Sequence, residues 1–418
     1  MFEKLFTMAP IITRHMEAPY CLERQRYLKQ YANQGYKVRY LRQLSVMLLR
    51  IVYALKDFPE SVINEEQIRT ATQRATRRHC GFYKIRNNRE FRKRFAREVK
   101  HWLRFLGRLQ GSDIKPTPFA DKIDDFAFWM RRERGLSPAT VEKRRWYIAS
   151  FLRWFGEQGH SISSIRLADV DAYQTTCKNR GLSRISIKNH TNAVRAFLRY
   201  ASSRKWCSSS IADGIQGPRI YAQENIPSGP SWAEVMRLIS GLDTEKPEDI
   251  RSRAIIMLFA VYGLRASEVS RLRLEDIDWE HDQVVVRRYK QRQLQSYPLV
   301  PEVGNAIIRY LKEVRPECRY RELFITLLAP RRPISCTGLY SVVARSMKRL
   351  GIKSLPHRGP HALRHACAAH LLSENFTLKE IGDHLGHRSP VATRIYAKVD
   401  LVGLREVADF DLGGVLCD

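Results

Sequence analysis

Apolar residues through much of this chain recur three and four positions apart, a spacing that winds them onto one face of an α-helix. Leu41, Val46, Leu49 and Tyr53 form one such stripe, Phe126, Trp129 and Met130 a second. Tyr147, Phe151, Trp154 and Phe155 follow the same rule, as do Val194, Phe197, Leu198 and Ala201. The fold class expected from this is mainly α. One stretch breaks the helical period: Val284-Val285-Val286 reads as a strand, Lys290 to Gln295 as a polar turn, and Tyr297 to Val300 as the returning strand. Pro298 cannot donate to a ladder, so the returning strand belongs at an edge. A small β-sheet is therefore expected within a mostly helical protein.

Pro, Gly and charge divide the 418 residues into three segments. Residues 1–112 carry roughly half of the formal net charge of +29, including the run Arg89-Glu90-Phe91-Arg92-Lys93-Arg94-Phe95 with Arg97 beyond it. They read as a basic helical region. Gly111-Ser112-Asp113 and Pro116-Thr117-Pro118 mark the first boundary, and residues 119–218 follow as an all-helical domain in which Ser137-Pro138 supplies a cap and a first-turn proline. Gly217-Pro218 through Pro227-Ser228-Gly229-Pro230 mark the second boundary. Residues 228–418 then mix helices with the hairpin.

A soluble chain with a pI near 10.0 repels itself unless a polyanion neutralises it, so nucleic acid is the expected partner. No run of about 18 apolar residues is present, and the Met1 end has Glu3 and no apolar signal core, so a membrane is not expected and a cytoplasmic location is. The cysteines, Cys21, Cys80, Cys177, Cys207, Cys318, Cys336, Cys367 and Cys417, form no Cys-x-x-Cys pair and no zinc-spaced cluster. They read as reduced, mostly buried thiols, and no metal site is expected.

The chemistry gathers in the last segment. His361-Ala362-Leu363-Arg364-His365 opens a helix on which His361 and Arg364, three apart, share a face and can converge on one anion. Upstream, Tyr262-Gly263-Leu264-Arg265-Ala266-Ser267-Glu268 sets a second arginine beside a glycine, with Glu268 spaced to orient it. Downstream, Leu385-Gly386-His387-Arg388-Ser389-Pro390 offers a glycine suited to a helix C-terminus and a Ser-Pro suited to a helix start. Tyr396 lies nine residues past His387.

This succession, Arg, hairpin Lys, His-x-x-Arg, Leu-Gly-His, Tyr, resembles the signature of the tyrosine recombinase family, also called phage integrases. The resemblance covers residues 230–405 as the catalytic domain, and residues 119–218 look like the family's helical, SAM-like core-binding domain. It implies that Arg265 is the first catalytic arginine, His361 and Arg364 the His-x-x-Arg pair, His387 the His/Trp position and Tyr396 the nucleophile. Lys290 takes the place of the family's hairpin lysine, although the turn here reads Lys290-Gln291-Arg292 without the usual glycine. The helical N-terminal region looks more like those of transposon and mobile-element integrases than like the sheet-containing arm-binding domain of many phage integrases.

The activity so implied is site-specific cleavage and rejoining of double-stranded DNA through a 3′-phosphotyrosine, with no metal, ATP or other cofactor. Arginines match phosphate oxygens with fixed forks of donors and stay charged at neutral pH. His361 would accept or relay the Tyr396 proton, His387 would donate to a non-bridging oxygen, and Lys290 would protonate the leaving 5′ oxygen. The apolar tail with Leu401, Leu404, Val407 and Ala408 is expected to dock on a neighbouring subunit in a tetramer on paired DNA sites, with sister recombinases or accessory proteins as further partners. A type IB topoisomerase, a DNA-binding regulator without activity and an RNA-binding protein explain the charge but fit the order or completeness of these motifs less well. Deleting residues 1–112 is expected to weaken DNA binding and flatten its salt dependence, because fewer counterions are released per complex. An unchanged slope of log affinity against log salt would assign that region to protein partners instead.

Overall fold

The computed structural model describes residues 1–58, 62–77, 89–110, 118–220, 229–288, 293–352, 358–387 and 389–399. It divides into two compact units, one made of Met1–Lys56 with Asn225–Asp418 and the other of Asp57–Glu224. The break between Lys56 and Asp57 therefore falls inside the basic N-terminal region.

The first four helices are α1 (Phe2–Leu5), α2 (Ala9–Glu17), α3 (Cys21–Asn33) and α4 (Val38–Ala54). The stripe that α4 buries runs through Leu41, Leu44, Ser45, Leu48, Ile51 and Val52. Leu41 and Leu49 are buried as their spacing suggests, but Val46 is only half-buried and Tyr53 is 42% exposed. The reason is that Val46 and Tyr53, seven apart, fall on the side of α4 that carries Arg42, Gln43 and Arg50, away from the buried stripe. Arg24 is wholly buried, and its guanidinium is held by the carbonyls of His15, Ala18 and Pro19.

In the second unit, α5 (Glu65–Arg77) and α6 (Arg89–Phe105) pack together and are braced by a backbone bridge between Ile63 and Leu109. Helix α6 resolves the basic run into two faces. Phe95, Val99, Trp102 and Leu103 are buried, while Arg89, Arg92, Lys93 and Arg94 face solvent. Helices α7 (Ala120–Arg132), α8 (Pro138–Gly156), α9 (Leu167–Asn179), α10 (Arg184–Ser203) and α11 (Ile211–Gly214) share one core, in which Phe126 meets Phe197 edge to face at 5.6 Å. Ser137 caps α8 through the Thr140 amide, with Pro138 in the first turn as its sequence demands.

The remaining helices are α12 (Trp232–Ser240), α13 (Pro247–Val261), α14 (Ala266–Val269), α15 (Pro301–Glu313), α16 (Cys336–Arg349), α17 (Pro360–Ser373) and α18 (Leu378–Leu385). Helix α13 is apolar nearly all round, burying Ile255, Ile256, Leu258 and Phe259, and it packs against α15, α16 and α17. It is the central helix of this core. A three-stranded antiparallel sheet in the order β1 (Ile277–Asp278), β2 (Gln283–Arg288), β3 (Gln293–Pro298) lies between α14 and α15 in the chain.

Strand β3 is at the sheet edge, where Pro298 belongs. It starts earlier than the sequence suggests: Gln293 to Gln295 are ladder, not turn, paired with Arg288, Arg287 and Val286. Their polarity misleads because Gln295 spends both ends of its amide on protein, accepting from Arg288 Nε at 3.0 Å and donating to the Asp383 carbonyl at 2.8 Å. Residues 289–292, with Lys290 among them, lie outside the described residues.

Of the six described cysteines none is in a disulfide. Cys177 and Cys367 are buried as expected, but Cys336 is exposed and Cys21, Cys207 and Cys318 are half-buried, because each of these lies near the end of a helix or in a loop. Cys80 and Cys417 are outside the described residues. No described helix is long and apolar enough to cross a membrane.

Candidate active site

Helix α13 ends at Val261, and the chain turns sharply through Gly263 at φ +56°. Only glycine fits there, since a Cβ would lie 2.3 Å from Leu385 and the backbone is in the left-handed region. The turn delivers Arg265 to the start of α14. Glu268 holds it at both ends, accepting from the Arg265 amide at 2.7 Å and from its guanidinium at 2.9 Å.

Arg364 is buried on α17, three residues after His361. Its guanidinium donates to the Gly263 carbonyl and, at 2.8 Å, to the Leu385 carbonyl. Arg265 donates to the next carbonyl, Gly386, at 2.9 Å. These carbonyls end helix α18, where peptide oxygens lack intrahelical partners and the helix dipole is negative. Gly386 is the C-cap at φ +60°, as its place in the sequence suggests, and a Cβ there would press on the Arg288 guanidinium at 2.7 Å.

Arg288, at the end of β2, is a third guanidinium of the site, buried like Arg364, that sequence reading missed. It pairs with Glu268 at 2.6 Å, both side chains being almost wholly enclosed, and donates to the Tyr297 hydroxyl and the His384 carbonyl. The signal was available. Val284, Val286 and Arg288 alternate along the strand, so an inward valine two and four residues back puts Arg288 on the same inward face. Burial pushes the Glu268 carboxyl up, but Arg288 and the Arg265 amide outweigh it and leave its pKa below the usual carboxylate value.

Tyr396 lies in the 3₁₀ turn Arg394–Val399, only 2% exposed, against Cys367, Ala368, Ile381 and Leu385. Its hydroxyl meets Nδ1 of His365 at 3.0 Å. Burial raises the phenol pKa to about 12, with Arg364 pulling the other way. His361, one helical turn before His365, is exposed, and the two rings lie 5.5 Å apart. The histidine at the Tyr396 hydroxyl is thus His365, placed four residues after His361 on the same face.

His387 is bonded through Nδ1 to the Thr393 hydroxyl at 2.8 Å. Burial, then Arg364, Arg265 and Arg288, lower its pKa to about 4, so it is neutral at pH 7 with one ring N–H to donate. Burial and the neighbouring Arg265 lower Arg364 to about 10, which still leaves it charged. Arg265, Arg364, His387, His361 and Tyr396 are therefore drawn to one region by α14, α17, α18 and the 3₁₀ turns that follow, of which Pro390–Ala392 begins where Ser389-Pro390 suggests. Lys290 falls outside the described residues, two positions past Arg288.

Residues 232–401 match the phage integrase family, and residues 123–205 match the phage integrase N-terminal SAM-like domain. A Sinorhizobium fredii protein named as an integrase/recombinase, y4rA, is 36% identical over 320 residues, which is 74% of this chain and 77% of that protein. The chain belongs to the phage integrase, or tyrosine recombinase, family. The tyrosine recombinase XerA of Thermococcus kodakarensis is 27% identical over 291 residues, 69% of this recombinase and 94% of its relative. The fold is similar to that of the XerH site-specific recombinase in a post-cleavage complex with difH substrate, at TM-score 0.56 and 19% identity over 69% of this chain and 83% of that one. The Tn1549 transposon integrase is similar at TM-score 0.50, 19% identity and coverage of 69% and 99%. This chain is a site-specific recombinase of the tyrosine type.

Glu268→Gln should destabilise the recombinase by about 3 kcal/mol at pH 7, because Arg288 would stay buried without a counter-charge. A carboxyl whose folded pKa is depressed contributes stability above its unfolded value, near 4.5, and loses it as pH falls through the lower folded value. The gap between parent and variant in urea unfolding should accordingly narrow below about pH 4.5. Equal midpoints at pH 7 would show that the pair contributes no net stability.

Proposed function

We propose that this recombinase cleaves and rejoins double-stranded DNA through a 3′-phosphotyrosine formed on Tyr396, with neither metal nor ATP. The observation that supports it most is the convergence of two guanidiniums, Arg265 and Arg364, and the neutral His387 on the region of Tyr396. Both arginines keep further N–H groups for the non-bridging oxygens of a phosphodiester, where charge builds as the phosphorus is attacked. His387 donates there as well. His361 accepts or relays the phenol proton, and Lys290 protonates the departing 5′ oxygen. The phosphotyrosine conserves the energy of the bond it replaces, so a DNA 5′ hydroxyl reverses the step and seals a strand.

The DNA is held mostly through phosphates, as the charge of +29 favours. We assign residues 1–112 to DNA binding or interaction, 119–218 to the core-binding domain and 228–418 to catalysis. The working form is a tetramer on paired sites, joined by the C-terminal tail, with accessory proteins or sister recombinases as further partners, in the cytoplasm of a host that carries it on a mobile element. The tail residues Leu401, Leu404, Val407 and Ala408 lie outside the described residues.

Tyr396→Phe should abolish covalent attachment to a nicked duplex, while DNA affinity stays nearly unchanged because one hydroxyl is lost from a charge-dominated interface. The duplex would carry the sequence that the full chain selects from a random pool, and EDTA should leave the parent's adduct intact. An adduct in Tyr396→Phe would move the nucleophile, and strict dependence on a divalent ion would overturn the arginine mechanism.

Lys290→Ala should slow cleavage by roughly 10² to 10⁴ without loss of binding, the range for a missing general acid. A bridging 5′ sulfur leaves without a proton, so the variant should recover most of its rate on that substrate. Arg265→Ala and Arg364→Ala should not recover, since the charge they meet is on other oxygens. Lys290→Ala equally impaired on both substrates would make Lys290 a phosphate contact.

A further inference from the structure

The His-x-x-Arg signature points to His361 as the histidine that handles the nucleophile's proton, but the hydroxyl of Tyr396 is bonded to a different imidazole. We infer that His365 is the catalytic base for Tyr396, taking the phenol proton directly on Nδ1, and that His361 acts behind it. The inference deepens the reading of Tyr396 as nucleophile and rests on it.

Three observations carry it. Nδ1 of His365 is 3.0 Å from the Tyr396 oxygen, within reach for direct proton transfer, and the ring centroids are 5.7 Å apart at 58°, so the imidazole addresses the hydroxyl through its edge and not its face. His365 is half-buried and its backbone lies in the middle of α17, next to Arg364, whose guanidinium is fixed by two carbonyls. The helix thus sets the base and the charge-stabilising arginine in a rigid relation. Tyr396 is enclosed by Cys367, Ala368, Ile381 and Leu385, and a phenol in such surroundings does not ionise at neutral pH without an acceptor in contact.

The balance is simple. With His365 neutral and its own proton on Nε2, the Tyr396 O–H donates to Nδ1. As the Tyr396 oxygen bonds to phosphorus, its proton passes to Nδ1 and yields an imidazolium, while the bond from phosphorus to the 5′ oxygen breaks and that oxygen takes a proton from the general acid. His361, with its ring 5.5 Å from that of His365 and its side chain exposed, is placed to pass the proton outward.

The test is single-turnover adduct formation on the nicked duplex carrying the selected sequence. His365→Ala and His365→Gln are expected to be slowed by roughly 10² to 10⁴ with DNA affinity retained, the glutamine variant keeping a polar side chain that cannot take up the proton. Added imidazole should restore part of the rate to His365→Ala. Replacing Tyr396 by 3-fluorotyrosine, whose phenol is more acidic, should shrink the deficit of both variants while leaving that of Arg364→Ala unchanged. A role in packing alone would be insensitive to imidazole and to phenol acidity. His365→Ala that cleaves at the parent's rate, a deficit that neither imidazole nor fluorotyrosine alters, or the same rescue found in His361→Ala in place of His365→Ala would each overturn the inference. An adduct persisting in Tyr396→Phe would remove the nucleophile assignment itself, and this inference with it.

Discussion

Three guanidiniums, the buried ones of Arg288 and Arg364 and the half-buried one of Arg265, gather in one region, and the arrangement around them has to answer their mutual repulsion. At an effective dielectric of about 20, two unit charges about 8 Å apart repel by roughly 2 kcal/mol, so such a cluster forms only where something negative is built in. The recombinase supplies two things. Glu268 is a buried carboxylate shared between Arg265 and Arg288, and the last turn of α18 offers a row of carbonyls that accept side-chain donors at the negative end of a helix. The row is used nearly in full: Asp383 and His384 take the hairpin's Gln295, Tyr297 and Arg288, Leu385 takes Arg364, and Gly386 takes Arg265. One carboxylate and a partial charge do not neutralise three cations. The region remains positive, which is the condition a phosphodiester would meet.

The same cluster sorts the protons. Burial, together with the nearby arginines, holds the His387 imidazole neutral, so it is a donor without being a charge. Tyr396 is pushed the opposite way by burial, with only Arg364 favouring the phenolate. A buried phenol and a half-buried neutral imidazole thus sit beside guanidiniums that stay charged, and each group's state follows from whether its charged form is the costly one.

On the basic helix α6 the chain puts most of its charge where it costs little. Helix α6 packs Phe95, Val99, Trp102 and Leu103 inward and leaves Arg89, Arg92, Lys93 and Arg94 in water, so a strongly basic segment still has an apolar face to fold on. Glu98, on α6 itself, is one buried exception in this region, and Arg24 is another. Its burial is tolerated because three carbonyls of the α2–α3 turn accept its protons, at the cost of one nitrogen left without a partner.

Sequence alone determined the helical class, the edge position of the strand that ends at Pro298, the cap at Ser137 and the glycine that closes α18, because each depends on near neighbours in the chain. Its motif order also offered Arg265, Lys290, His361, Arg364, His387 and Tyr396 as candidates, and its spacing tied Glu268 to Arg265 across three residues. What it did not contain was contact between distant segments. The pairing of Arg288 with Glu268 spans 20 positions and the bond from His365 to Tyr396 spans 31. The meeting of Arg265 with the Gly386 carbonyl spans 121. Gln293 to Gln295 looked like a turn for the same reason, since the acceptors of the Gln295 amide lie on α18. Local patterning fixes which elements form, whereas the partner of a buried polar group is chosen by the packing of those elements, and only the tertiary structure decided which histidine stands at the tyrosine.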